Sequence, residues 1–589
     1  MSQMDKFQYD DLPSDQAVIR YLILEPGQGD DPIICNIRTS PLASIPYFEA
    51  ISYVWGNPEL IFPITVSGKE LLITRNLREA LLQLRLPTNR RALWADGICI
   101  NQSDNDEKAH QVALMGQLYT KANRTLICLG RDRDYTEEAE QVASLVTEVS
   151  DMVLKTLKSI KLDLNAFPFP DRDDPLLADE RWGSLRMLFE QPWWDRGWVI
   201  QEAWLGRDVK MLWVDSEFEW LAVVRALSWI NTRATEIYTR HAITMLAVHE
   251  TQYGLRYPQE AMPLRVQKPS EYFPDVMDWT RSLQLTDQRD RIYAFMSLAK
   301  PGEIAAIVPD YKKPYLEVYR DFARKYINGS SDLKFLLLID HNQESFDADY
   351  PSWVPRWDLR VVLENTPHMA NFLPGTFFAD AGVRTLTVRG RIIASVEFVS
   401  ADVHWVMTGL SDIIKILREL MGTGISHPYT KFPAVLAFAD AIVAGVHHAG
   451  RPTYRADRAA YINRLLEAGI PGTEVGDDNR FQKQAEGGDV GVFHSWVRAW
   501  GHTRRVIQTD RGHYGLAPGI ASKGDVVCAL AGASTLLTLR RVKNGEYKIV
   551  GPTYVVSAEA TVSGDPLQLG SERDRYWQGW GVEEDIIIC

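Results

Sequence analysis

Residues 48–56 read FEAISYVWG, and residues 91–102 read RALWADGICINQ. The first stretch is mainly apolar and ends at Trp55-Gly56, and the second carries a short apolar run that ends at Asp96. Aromatic and aliphatic runs that stop at glycine or aspartate are typical of buried strands. Both stretches therefore predict strands that place polar groups at their carboxyl ends.

Strand and helix patterns alternate around these two stretches. Further strands are predicted at 19–24, 33–37, 64–66, 71–73 and 125–129, and helices at about 76–84 and 104–122. Asn76 and Glu79 are placed to cap the first of these helices. Alternation with short connections favours a parallel α/β sheet, in which ligands bind beyond the carboxyl ends of the strands.

The rest of the chain divides by its pattern of residues. Residues 181–230 hold eight of the 18 tryptophans, a density that predicts a rigid aromatic wall. Residues 231–500 read as mainly helical, and short strands separated by glycine return from residue 501. We therefore expect an α/β domain at 15–230, a mainly helical middle region at 231–500 and a small C-terminal β barrel or sandwich at 501–589.

Composition argues against several classes of protein. The chain has 64 Lys and Arg against 77 Asp and Glu, a net charge of −13, which disfavours nucleic-acid binding. Its five cysteines include no Cys-x-x-Cys, and its histidines show no ligand spacing, so neither a disulfide framework nor a metal site is expected. Without a targeting pattern or an apolar run of the ~18 residues that span a bilayer, a cytoplasmic protein with no membrane span is expected.

Five stretches, taken in order, resemble the fungal heterokaryon-incompatibility (HET) domain. They are Tyr47–Gly56, Ile73–Leu77, Leu93–Gln102, Gln111–Gly130 and Trp194–Glu202. The resemblance covers residues 47–205, about a quarter of the chain. It implies a role in self/non-self recognition, known as vegetative incompatibility, or in defence signalling that ends in cell death.

HET domains are in turn remotely similar to TIR domains, some of which cleave NAD with one glutamate in a Trp-x-x-x-Glu segment. Residues Trp198–Glu202 have this form. The resemblance implies a TIR-like, flavodoxin-like parallel sheet, NAD as a substrate rather than a cofactor, and Glu202 as the catalytic residue. The alternative is a non-catalytic module that self-associates or binds a signalling partner protein.

The chemistry of NAD cleavage suits a single carboxylate such as Glu202. Nicotinamide leaves as a neutral molecule, so no general acid is needed, and a carboxylate near the ribose stabilises its oxocarbenium-like state. Trp194, Trp198 and Trp204 are placed to stack on a flat ring and exclude water. The competing interpretation is that Glu202 pairs with Arg196 and caps a helix turn.

The remaining candidates lie at strand ends or on the loops that follow them. Asp96 and Gln102 are placed either to bind a polar ligand such as a sugar hydroxyl or to hold their own loop. Cys99 lies between them, and its competing interpretation is a small buried hydrophobe. The substrate-binding candidates are Ser52, Tyr53, Trp55, Gly56, Asp96, Cys99, Gln102, Arg196 and Trp198.

Overall fold

The computed structural model divides into two compact units, residues 1–301 with 306–315, and residues 302–305 with 316–589. It describes residues 5–161, 166–171, 173–234, 237, 240–241, 243, 273–299, 307–330, 332–359, 377–401, 408–429, 433–445, 454–471, 483–557 and 581–589. The predicted middle region at 231–500 therefore lies partly outside the described residues.

A nine-stranded mixed sheet forms the centre of the first unit. Its strands are β1 (Val18–Leu24), β2 (Ile34–Pro41), β3 (Glu49–Tyr53), β4 (Phe62–Val66), β5 (Lys69–Ile73), β6 (Arg91–Trp94), β7 (Arg124–Cys128), β8 (Val209–Trp213) and β9 (Ser216–Glu219). The order across the sheet is β5-β4-β2-β1-β6-β3-β7-β8-β9.

Only the centre of this sheet is continuously parallel. Strands β6, β3, β7 and β8 are adjacent in the sheet and run parallel to one another. Strand β1 is antiparallel to both β2 and β6, and the pairs β4–β5 and β8–β9 are antiparallel. The expected parallel sheet is found at the centre, whereas the pairs β4–β5 and β8–β9 at the flanks are antiparallel, because the short turns that join them leave no room for a crossover.

Helices of the first unit connect these strands or follow the last of them. They are α1 (Arg75–Leu84), α2 (Asp96–Cys99), α3 (Asn105–Lys121), α4 (Thr136–Ser159), α5 (Trp182–Phe189), α6 (Trp198–Leu205), α7 (Trp220–Arg233), α8 (Phe273–Trp279) and α9 (Asp290–Tyr293). Thr74 caps α1, since its side chain accepts a hydrogen bond from the Leu77 N–H. The prediction of Asn76 as the cap is wrong, because the helix begins one residue before it.

The order of the four parallel strands indicates which edge of the sheet is suited to bind a ligand. In chain order β3 comes first, β6 second, β7 third and β8 fourth, so they lie in the order second, first, third, fourth. The chain thus continues on opposite sides of β3, and the crevice beyond the carboxyl ends at such a point is where doubly wound sheets bind ligands. Ser52 and Tyr53 end β3, and Asp96 lies just past β6.

Tryptophans from 181–230 fill the core on one side of this sheet. Trp193, Trp194 and Trp220 lie within 5.1–5.7 Å of one another, measured between ring centroids. All three are at most 1% exposed. Rings of this size dominate the hydrophobic energy of the region in which they pack, so α5, α6 and α7 are held firmly against the sheet.

The second unit contains a closed antiparallel barrel. The strands of this unit are β10 (Ala379–Ala381), β11 (Leu386–Val399), β12 (Arg504–Thr509), β13 (Tyr514–Pro518), β14 (Val526–Leu530), β15 (Leu536–Arg541), β16 (Tyr547–Val555) and β17 (Glu584–Ile588), and β10 and β17 pair with β11 outside the ring. Pairing runs β11-β12-β13-β16-β15-β14 and returns to β11, which closes a six-stranded ring. The predicted C-terminal β structure is therefore a barrel, and it also uses β11, from within the predicted helical middle region.

Helices of the second unit are α10 (Tyr315–Gly329), α11 (Gln343–Asp347), α12 (Leu410–Met421), α13 (Ala434–Ala441), α14 (Tyr454–Leu466) and α15 (Val490–Gly501). The buried faces of α12, α13, α14 and α15 share one apolar cluster with residues of β12 and β13. Among the described residues, no helix combines the length and the apolar character that a membrane span requires.

Candidate functional site

A buried hydrogen-bond chain joins the end of β3 to α6. The Ser52 hydroxyl donates to Oε2 of Glu202, although the two residues are 150 positions apart. The Trp193 indole N–H donates to Ser52 Oγ over 2.8 Å. Ser52 is 1% exposed and Glu202 is 2% exposed. The carboxyl group of Glu202 is therefore held by a neutral hydroxyl, which Trp193 in turn holds, inside the protein.

The environment of Glu202 changes its acidity. Burial raises the pKa of its carboxyl group to about 7, against the opposing effects of the Arg196 guanidinium and the Ser52 hydrogen bond. The nearby Asp96 carboxylate adds to the increase. Removing a charge from water is costly, so a carboxyl group in this setting changes its protonation state near neutral pH rather than near pH 4. Such a group is able to act as an acid or as a carboxylate at physiological pH.

Arg196 is attached to β3 rather than to the carboxylate. Its Nη1 donates to the carbonyl oxygen of Tyr53. The Tyr53 hydroxyl is buried beside Asp96, and both burial and that carboxylate raise the pKa of the phenol well above its ordinary value. Arg196 thus acts on Glu202 through its charge, while its hydrogen bond holds the segment before α6 to the end of β3.

Asp96 organises the loop between β6 and α3. Its Oδ2 accepts a hydrogen bond from the Trp55 indole N–H at 2.8 Å, and its Oδ1 accepts from the Gly97 N–H at 2.7 Å. The Gln102 side-chain amide donates to the Asp96 carbonyl oxygen at 3.0 Å. The two strand ends are therefore tied together by Trp55 and Asp96, both of which are half-buried.

Two glycines permit this close approach. A Cβ atom on Gly97 would lie 2.7 Å from the Tyr53 hydroxyl oxygen. Gly56 has a φ of +67°, and a Cβ atom there would lie 2.6 Å from Asn76 Nδ2. Glycine adopts positive φ without the steric cost that other residues incur. The chain therefore turns away sharply after Trp55 and leaves the strand end open to neighbouring groups.

Comparison with known proteins finds a family match over the residues of this site. The family model described as "Heterokaryon incompatibility protein (HET)" matches residues 48–202. The chain is also 26% identical over 416 residues to "Heterokaryon incompatibility protein 6, OR allele" of Neurospora crassa.

Residues 48–202 form a HET domain. The similarity to the Neurospora protein spans 60% of this chain and 60% of that protein's length. No solved structure matches the chain. The HET match begins one residue before β3 and ends at Glu202, so it contains Glu202 and every substrate-binding candidate.

Within the HET domain, Cys99 has the properties of a structural residue. Its side chain is 0% exposed, and burial raises the pKa of its thiol to about 12. The reactive form of a cysteine is the thiolate, which is almost absent at neutral pH when the pKa is this high. Its carbonyl oxygen accepts a hydrogen bond from Arg20 Nη1. These properties favour the interpretation of Cys99 as a small buried hydrophobe.

Trp198 is turned towards a different acid. Its indole N–H donates to Oδ2 of Asp290 over 3.1 Å. The Tyr311 hydroxyl donates to the other oxygen, Oδ1, over 2.6 Å. Asp290 is 6% exposed, and burial raises the pKa of its carboxyl group to about 6. The polar edge of Trp198 therefore bonds to a residue that lies beyond the HET match.

The other tryptophans proposed to stack on a ligand lie in the core. Trp194 is 1% exposed and Trp204 is 5% exposed. The Trp194 indole N–H donates to the Leu188 carbonyl oxygen over 2.7 Å, and its ring packs edge-on against Phe189. With both faces occupied by protein, Trp194 serves the packing of the HET domain. Trp55 is the half-buried indole at the strand ends.

Sequence reasoning missed three residues that shape the site. Trp193 holds Ser52, Asn76 packs against Gly56, and Asp290 holds Trp198. Trp193 immediately precedes Trp194–Glu202, and Asp290 begins the stretch DRIYA, so both lie at recognisable places in the sequence. Among the described residues, no group of three His, Cys, Asp or Glu side chains is arranged to hold a metal ion.

Proposed function

We propose that this HET-domain protein acts in heterokaryon incompatibility or in related defence signalling that leads to cell death, and that its HET domain cleaves NAD. The name of the Neurospora relative supports the biological role. One observation carries the chemistry: Glu202 is buried beside Ser52, Asp96 and Arg196 at the ligand-binding edge of the sheet, with a carboxyl pKa of about 7.

A TIR-like domain is the fold part of this proposal. The parallel strands β6, β3, β7 and β8 have the order second, first, third, fourth, which is the flavodoxin-like order. In that arrangement a ligand binds beside the first strand, here β3. This is the strand that carries Ser52, Tyr53 and Trp55-Gly56 at its end. The order of the strands and the position of Glu202 support each other.

The reaction proposed at the carboxyl ends of these strands is the hydrolysis of NAD. The bond between ribose C1′ and the nicotinamide nitrogen breaks, nicotinamide leaves with the bonding electrons, and water adds to C1′ with release of a proton. An ionised Glu202 stabilises the positive charge that develops on the ribose. Asp96 and Gln102 are half-buried and face the ribose hydroxyls in this proposal, and Trp55 packs on a ring of the substrate.

The rate should depend on pH in a defined direction. Glu202 works as a carboxylate, and its carboxyl group has a pKa of about 7. We therefore expect kcat/KM to rise as the pH increases through about 7 and to level off above it. The measurement is kcat/KM across the pH range on both sides of that value. A rate that is flat across this range contradicts a role for ionised Glu202.

The decisive experiment measures NAD consumption by the purified full chain at high protein concentration. Wild type is compared with Glu202→Gln, which keeps an acceptor for Ser52 but cannot carry a charge. Glu217→Gln is the matched control, since Glu217 is an exposed glutamate on the edge strand β9 of the same sheet. We expect cleavage by wild type and by Glu217→Gln, and a loss of at least about 100-fold in Glu202→Gln. Equal cleavage by all three contradicts the assignment, and thermal melts establish that all three are folded.

A non-catalytic interaction module is the second candidate function. It is favoured by the 2% exposure of Glu202 and by the hydrogen bond from Ser52, since both are also typical of a structural acid. In this case the HET domain self-associates or binds a signalling protein in the cytoplasm. A cell-death assay separates the two: Glu202→Gln abolishes the response if NAD cleavage is the signal and leaves it intact if the domain acts by binding.

A further inference from the structure

Residues 284–298, called the clamp segment below, pack along α6 from outside the HET match. The Gln284 N–H donates to the Asp195 carbonyl oxygen over 2.5 Å, and the Gly197 N–H donates to the Gln284 carbonyl oxygen over 3.0 Å. These bonds form a short parallel bridge at Arg196. The clamp segment is thus paired with the backbone of the residues that lead directly into α6.

Side-chain packing at this point requires a glycine. A Cβ atom on Gly197 would lie 2.7 Å from both Cγ and Cδ2 of Leu285. Contacts below 3 Å do not occur between such atoms in folded proteins, so any larger residue at 197 has to displace Leu285. Gly197 is buried and immediately precedes α6. The absence of a side chain at 197 is what lets the clamp segment lie against the start of the helix.

Two further contacts continue along α6. Trp198 donates to Asp290, which also accepts from Tyr311. The Ser297 hydroxyl donates to Oε1 of Gln201, the residue before Glu202. A Cβ atom on Gly116 of α3 would lie 2.3 Å from Ser297 Cβ, so a second glycine permits this approach. The clamp segment therefore contacts α6 and the residues before it at 195, 197, 198 and 201.

Glu202 lies one helical turn after Trp198 on α6 and contacts the candidate site. Glu202 accepts from Ser52 there, and Arg196 donates to the Tyr53 carbonyl oxygen. Neither bond forms unless α6 and the residues before it are kept against the end of β3. The family match stops at residue 202, whereas the compact unit continues through residue 301 and again over 306–315.

We propose that the clamp segment completes the functional site of the HET domain, with Trp198, Asp290 and Gly197 as positioning residues that hold α6 so that Glu202 and Arg196 stay against β3. This inference rests on the proposed function only in taking Glu202 as the reacting group. It assigns Trp198 a role in positioning rather than in substrate contact, because its polar edge is bonded to Asp290.

The test measures how burial of the Glu202 carboxyl group affects stability at two pH values, and it does not measure catalysis. In each background, the melting temperature of the protein is compared with that of its Glu202→Gln derivative at about pH 5 and about pH 8, on either side of the native pKa. In wild type, Glu202→Gln should raise the melting temperature more at the higher pH, where the buried carboxyl group is ionised, than at the lower. This difference reports whether Glu202 is still enclosed.

Gly197→Ala is the main variant, and Gly183→Ala is its matched control. Gly183 lies in α5, where an added Cβ atom has nothing within 4 Å. With Leu285 displaced, α6 moves from β3, water reaches Glu202, and the pH-dependent difference falls to less than about half of its wild-type size. Gly183→Ala should leave the difference unchanged.

Trp198→Phe provides a second, milder variant should Gly197→Ala fail to fold. It removes the hydrogen bond to Asp290 and keeps most of the ring volume. A purely structural contact lowers the melting temperature equally with and without the Glu202→Gln substitution, so an unchanged difference in a folded, destabilised variant overturns the proposal. Absence of the difference in wild type overturns it as well. Since no NAD is used, a lack of NAD cleavage contradicts the proposed function and leaves this result valid.

Discussion

Asp525 in the barrel and Glu202 in the HET domain are both acids with 2% exposure. Asp525 receives two charged donors from one arginine, Arg540 Nε at 2.7 Å and Nη2 at 2.9 Å, and a third bond from the Ser522 N–H at 2.8 Å. Glu202 receives the neutral Ser52 hydroxyl and lies near both the Arg196 guanidinium and a second carboxylate, Asp96.

These two buried acids differ in the charge of the groups that donate to them, and this difference distinguishes a structural acid from a candidate for function. A buried charge that is fully paired contributes to a defined fold, and removing one partner leaves the other uncompensated. A buried acid with neutral donors loses stability whenever it ionises. Proteins keep such groups mainly where their chemistry is used. Burial alone therefore does not single out a candidate site, and the partners of the buried group narrow the choice to acids such as Glu202 and Asp290.

The largest expected effect is on the barrel side of this comparison. Asp525→Ala removes the acceptor of Arg540, whose side chain is only 24% exposed, and should lower the free energy of unfolding by about 3 kcal/mol. Glu397→Ala is the control, since its pair with Lys523 is mostly exposed and should change stability by less than about 1 kcal/mol. Denaturant unfolding measures both, and equal losses contradict the structural role of Asp525.

Glu202→Gln should change the free energy of unfolding in the opposite direction and stabilise the protein. Its native pKa of about 7 lies above the ordinary 4.5, so the native state binds more protons than the unfolded chain between these values. The stability contributed by the neutral form is complete below pH 4.5 and is lost as the pH rises through about 7. At about pH 8 the variant should therefore be more stable than wild type by about 2 kcal/mol.

The measurement for this prediction is the free energy of unfolding of both proteins from about pH 5 to about pH 8. The stabilisation by Glu202→Gln should be small at the lower limit and should grow with pH. Glu217→Gln, on the exposed edge strand, should show no such increase. A Glu202→Gln variant that is less stable than wild type at the upper limit would place Glu202 in the same class as Asp525.

The smallest expected effect tests how rigidly the strand end beside Glu202 is held. Gly56 and Gly68 both have positive φ, but only Gly56 has a neighbour, Asn76, within 4 Å of an added Cβ atom. Both Gly→Ala variants carry the backbone cost of this conformation, so Gly56→Ala should lose about 1 kcal/mol more than Gly68→Ala. Combining Gly56→Ala with Asn76→Ala should remove most of the excess. Equal losses of stability in the two single variants would show that the end of β3 adjusts to the added Cβ atom without cost.

The sequence predicts the local elements of the HET domain well and their partners poorly. Apolar runs place β3 and β6, and the parallel arrangement then brings Ser52 and Asp96 to one edge of the sheet. The contact between Ser52 and Glu202 spans 150 residues, and no local pattern encodes it. Strand periodicity likewise does not reveal that β1 pairs antiparallel with β6, because register is decided by packing on both faces.

The barrel shows the same limit. Short apolar runs separated by glycine predict β14 and β15, whereas β11 lies within the region predicted to be mainly helical. This 14-residue strand shifts register twice, between Ile392 and Ala394 and between Val396 and Phe398, so it bonds to β14 along one part and to β12 along another. Each shift interrupts the two-residue alternation on which strand prediction depends. The barrel closes only through pairings that are distant in sequence.

The burial of the cysteines gives the molecule built-in reporters of local opening. Cys35, Cys99 and Cys128 are at most 5% exposed within the first unit, and Cys528 is 0% exposed within the second. Burial raises the pKa of each of these thiols, so alkylation has to wait until the surrounding structure opens. Cys589 is only half-buried and should be labelled first. The rate of thiol labelling at each site, measured by mass spectrometry, then reports how often each unit opens locally.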